Sequence, residues 1–95
     1  MENMNYRKEF KLMLDAWGED SQLDVCIEEM AELTQALCKY RRKKRISSIN
    51  STLENIKEEI ADVLLCVSQM AIMFGEEEVD KIMKEKIARA IKKLD

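Results

Sequence analysis

Glu28-Glu29-Met30-Ala31-Glu32, echoed thirty residues later by Glu58-Glu59-Ile60-Ala61-Asp62, decides the reading of this chain. Both stretches set carboxylates inside an apolar pattern with steps of three and four, the period of a helix. Residues three apart in a helix lie about 60° apart around its axis, so Glu29 and Glu32 share a face, and so do Glu59 and Asp62. With Met30 and Ile60 as matching reference points, the acids stand at the same angular offset from each apolar stripe. Two helices packed by those stripes would aim four carboxylates into one cleft. Such acids repel one another and resist desolvation, and a divalent cation is the natural compensation.

Outward from the first cluster, Leu23, Cys26, Ile27, Met30, Leu33, Thr34 and Leu37 form the stripe of a helix running to about Lys44. Glu28, Glu29 and Glu32 are expected beside that stripe. Asp20 or Ser21 is the expected cap of this helix. Before it, Asn3 to Ala16 reads as a first helix that ends at Gly18. Trp17 stands at that corner, as either a hydrophobic plug or a ligand contact. The basic run Arg41 to Arg45 offsets the helix macrodipole, and such a run can also hold phosphates or nucleic acid. A loop is expected over Ile46 to Asn50.

Outward from the second cluster, Ser51 and Glu54 have the spacing of a capping box. The helix they open runs to about Phe74 and stops at Gly75. Beyond Ile60 it is apolar nearly all round, which implies burial on several sides, part of it against another subunit. Asp62 is unusual in this company, and an ionised group here needs a compensating partner, either a lysine or arginine or a metal cation. Glu76 to Glu78 open a fourth helix reaching Leu94, with Val79, Ile82, Met83, Ile87, Ala90, Ile91 and Leu94 expected inward.

Bulk composition fits this all-α reading. The 95 residues are 46% hydrophobic and 37% charged, with no proline and two glycines. One domain over residues 1–95 is expected, and a chain this short leaves apolar helix flanks wet unless copies associate. The net charge of −3 argues against nucleic acid and anionic membranes as partners. Three cysteines without a CxxC pair are expected to be reduced core thiols, and with no secretory h-region at the N-terminus they point to the cytoplasm. The absence of histidine excludes histidine bases and ligands. Oxygen-only donors favour Mg2+, or Mn2+, over Zn2+. Mg2+ often bridges to substrate phosphates, which Lys86 and Arg89 could also hold. Together these features imply phosphoryl or pyrophosphoryl chemistry, with Glu28 the best candidate to accept a proton from an attacking water.

EExxE (Glu28, Glu29, Glu32) followed by ExxD (Glu59, Asp62) resembles the MazG-like all-α NTP pyrophosphohydrolase superfamily, which includes the dimeric dUTPases. The surroundings are similar too: WGxxSQLxVxxEExxEL from Trp17 to Leu33, EEIADVLLCV from Glu58 to Val67, and KxxR at Lys86 and Arg89. The resemblance implies a four-helix bundle completed by oligomerisation, as a dimer or tetramer. It implies Mg2+-dependent cleavage of a nucleoside triphosphate, NTP or dNTP, to NMP and pyrophosphate. By this likeness Glu29, Glu32, Glu59 and Asp62 are metal ligands, and Lys86 and Arg89 phosphate contacts. Glu28 is an outer group, a further ligand or the base. Trp17 and Gln22 are conceivable base or sugar contacts. An asparagine frequent near the basic motif of relatives is missing here. The competing reading is a non-catalytic helical interaction module whose acids are merely solvated.

Overall fold

Two glycines divide helices at corners of the chain. Gly18 has φ +87° and Gly75 φ +120°, a backbone region that side chains with a Cβ rarely enter. The computed structural model describes residues 6–43 and 50–94, as four helices: α1 (Arg7–Trp17), α2 (Glu19–Lys43), α3 (Asn50–Phe74) and α4 (Glu76–Lys92). No strand occurs among the described residues. This is the expected all-α, four-helix arrangement.

Gly18 N–H donates to Leu14 O at 2.8 Å, ending α1, and Gly18 O accepts from Gln22 N–H at 3.1 Å, starting α2. The glycine itself therefore opens α2, and Asp20 lies in the first turn with Glu19 instead of capping it. Gly75 works the same way: its N–H donates to Ala71 O and its carbonyl accepts from Val79 N–H. The expected capping box is not where the spacing put it. Ser51 stands inside α3, its side chain lies outside the described residues, and Glu54 pairs with Lys57 at 3.3 Å. The start of the first helix at Asn3, Lys44 and Arg45 of the basic run, and the loop over 46–49 also fall outside them. Asn50 is helical, and α4 stops at Lys92, two residues short of expectation.

The main packing is between α2 and α3, which pair as a hairpin, with α1 lying on both. The buried and half-buried positions include, on α2, Gln22, Cys26, Glu29, Leu33, Ala36 and Tyr40, and on α3, Thr52, Ile56, Glu59, Val63, Cys66 and Met70. Both sets step by four and three, the seam of a close helix pair. The α2 seam is rotated from the expected stripe: Ile27, Met30, Thr34 and Leu37 are exposed. Cys38 is exposed as well, so only Cys26 and Cys66 are core thiols.

The fourth helix departs furthest from expectation. None of its residues is buried, and Ile82, Ile87 and Ile91 are 50–59% exposed. Its backbone approaches only α3, near the Gly75 corner. Around that corner Arg7 pairs with Glu76, tying α1 to the start of α4. On α3, Leu64 and Val67 remain exposed. The chain is accordingly open and flat, 44 × 42 × 21 Å, with a Cα radius of gyration of 16.1 Å against about 12 Å for a compact chain of this length. No helix among the described residues is long and apolar enough to cross a membrane.

Candidate metal centre

Antiparallel pairing of α2 and α3 brings the two acidic stretches face to face. Glu29 interacts most closely with Asp62, and Glu59 with Glu32. Two antiparallel helices carrying the same motif at the same depth are related by a local twofold, so each motif supplies one seam glutamate and one acid three residues further on. Single carboxylate oxygens of Glu29, Glu59 and Asp62 converge within 4.8 Å of one another. Glu32 stays outside this trio, against Glu59.

The seam position has an electrostatic consequence. Burial pushes the Glu29 carboxyl above its ordinary range, and the charges of Asp62, Glu32 and Glu59 push it the same way. Burial does the same for Glu59, followed by Glu32 and Asp62. Glu29 Oε2 and Glu59 Oε2 are buried without a hydrogen-bond partner among the described residues. The ion pairs of the described residues are Arg7–Glu76, Lys57–Glu54 and Lys84–Asp80, so no guanidinium or ammonium neutralises the trio. Orphaned, crowded, oxygen-only donors with solvent on one side fit a hard divalent cation that keeps some of its waters.

Two expectations change here. Glu29 and Glu59 sit in the helix seam itself, not beside an apolar stripe. Asp62, expected to be set among apolar neighbours, is exposed, and Glu29 and Glu59 are the acids drawn inward. Glu28 is exposed and is not among the converging oxygens.

One side of the acids opens into a cleft of about 440 Å3 lined by Met13, Trp17, Gln22, Glu29, Asp62 and Gln69 among others, a size suited to a small molecule. Trp17 is 61% exposed on this cleft and is no plug. Gln22 is buried in its wall. So is Gln69, which the sequence did not single out; its Nε2 donates to Met13 Sδ at 3.3 Å and its Oε1 has no partner among the described residues. A polar residue in the apolar half of α3 was the available signal. Cys66 borders the same cleft, its Sγ donating to Val63 O at 3.4 Å. Burial, with the Cys26 thiol beside it, pushes the Cys66 pKa up to about 12. Lys86 and Arg89 are exposed on α4, whose backbone nowhere approaches α2; a single chain does not bring them to the acids.

The family model of the MazG nucleotide pyrophosphohydrolase domain matches residues 18–95. The chain belongs to this family. No curated protein and no solved structure matches it. The matched span of this MazG domain includes both acidic stretches, α4 and the Gly18 corner. All of α1, with Met13 and Trp17, precedes it. Nucleotide pyrophosphohydrolase chemistry is thus the general character of the domain, and the acid trio is a place where a metal ion can be held.

Proposed function

We propose that the chain hydrolyses a nucleoside triphosphate, NTP or dNTP, to NMP and pyrophosphate with Mg2+, or Mn2+, held by Glu29, Glu32, Glu59 and Asp62. The observation that carries this reading is the convergence of three carboxylate oxygens, two of the contributing side chains having a buried oxygen without a partner among the described residues, in a MazG domain. A bound ion would offset phosphate charge and lower the pKa of an attacking water. The chain's own residues do the rest. Glu28, exposed next to the seam glutamate, accepts the proton from water. Trp17 offers an aromatic face and Gln22 an amide to the nucleoside, in the cleft beside Glu29 and Asp62.

Lys86 and Arg89 serve as phosphate contacts only across a subunit boundary, because α4 projects away from the acids of its own chain. The exposed isoleucines of α4 and the exposed Leu64 and Val67 of α3 supply an apolar surface for that association, as a dimer or tetramer. Residues 1–95 act as one MazG-like domain. Free thiols suit a reducing, cytoplasmic setting, and neither a membrane nor nucleic acid is required.

The test is a panel of NTPs and dNTPs with Mg2+, monitoring pyrophosphate, on the natural chain and on Asp62→Asn and Glu59→Gln. Each substitution removes a ligand charge, and release should fall by at least a hundredfold while helicity by circular dichroism persists. Unchanged turnover in both variants rules out the site.

A further inference from the structure

The carboxylates separate two clefts of different chemistry. Glu29 and Asp62 border the one containing Trp17 and Gln22, and among the described residues no lysine or arginine lines it. Glu32 and Glu59 border the other, a polar hollow formed with Gln35, Asn55, Lys39 and Arg42. Glu32, Gln35, Lys39 and Arg42 step by three, four and three along α2, so they share one helix face. Lys39 and Arg42 lie about 10 and 15 Å along the helix axis from Glu32. Long helical side chains lean back toward the helix N-terminus, which is the direction of the acids. Both cations are exposed, and neither forms an ion pair among the described residues.

We propose that Lys39 and Arg42 form a pyrophosphate subsite, holding the β- and γ-phosphates of the substrate beyond the acids. This rests on the hydrolase reading and adds a direction to it. The nucleoside lies in the Trp17 cleft, the scissile link between α- and β-phosphates lies over the carboxylates, and the outer phosphates run along the α2 face. Water adds across that link; NMP leaves on one side and pyrophosphate on the other. A triphosphate placed the other way round would set its most highly charged end in a cleft that no described lysine or arginine lines. The subsite belongs to the same chain as its acids, unlike anything α4 can supply.

The experiment is calorimetric binding of pyrophosphate with Mg2+, and separately of an NMP with Mg2+, to the full chain and to Lys39→Ala/Arg42→Ala. Pyrophosphate affinity should fall at least tenfold while NMP affinity stays within twofold. Lys57→Ala removes an exposed cation of α3 that pairs with Glu54, and should change neither. Pyrophosphate binding that is equal in the natural chain and the double variant, or that falls as much in Lys57→Ala, overturns the proposal. The two readings fail separately. A natural chain that releases no pyrophosphate from any triphosphate, yet binds it through Lys39 and Arg42, loses the hydrolase reading and keeps the subsite.

Discussion

Replacing Glu29 by Gln should stabilise the metal-free protein and remove most of its response to Mg2+. Glu29 and Asp62 oxygens lie within 4.8 Å, and Asp62 is exposed, so the water-like limit of Coulomb's law applies. The repulsion relieved is then about 1 kcal/mol. In a domain of this size that corresponds to roughly 4–8 °C in Tm. The pH dependence has a definite sign. Glu29 is raised from 4.5, so the folded state holds its proton more tightly than the unfolded chain does. The site therefore costs no stability below pH 4.5, and stability is lost as pH rises through the elevated value. The variant should melt higher than the natural chain at pH 8 without metal, and equally at pH 4. With Mg2+ at a hundred times its Kd, the natural chain should gain about 2.7 kcal/mol, and the variant much less. Thermal unfolding followed by circular dichroism, with EDTA or Mg2+, measures all of this. A metal-free variant that melts lower than the natural chain at pH 8 refutes the claim that these acids repel without compensation.

Thiol reactivity gives a second check: at pH 8 Cys38 should be alkylated first in the native state, with Cys66 protected by burial and a pKa of about 12. Mass spectrometry of peptides after brief iodoacetamide treatment reads the order, and rapid labelling of Cys66 would contradict its placement. Gln69→Met removes a buried amide oxygen that has no partner among the described residues and should stabilise the fold by about 1 kcal/mol in urea unfolding. A loss of stability would show that the amide is better satisfied than its geometry indicates. Lys86→Ala should raise KM without altering metal affinity. On the proposed association, in which Lys86 serves the acids of another chain, mixing it with Asp62→Asn should restore the low-KM turnover that neither variant has alone. Mixed oligomers with no recovery would place Lys86 outside the site.

The four helices and the doubled acidic motif were legible from the residues alone. Backbone hydrogen bonding and side-chain period are local properties, and Gly18 and Gly75 mark the breaks because only glycine enters those conformations easily. The rotation of α2 about its own axis was not legible. Its apolar residues form two stripes, one through Cys26 and Leu33 and another through Ile27, Met30 and Leu37, and periodicity does not say which one faces α3. Packing chose the first, which drew Glu29 into the seam against α3, where Glu59 is half-buried and Asp62 exposed. Nor could local pattern show that α4 keeps its apolar face unburied within one chain, since amphipathicity calls for a partner without saying whose. Spacing along the chain placed the acids at the right positions to meet. Only the antiparallel crossing of the hairpin determined which acids meet and how deeply each is buried, because desolvation and repulsion depend on distances between segments remote in sequence.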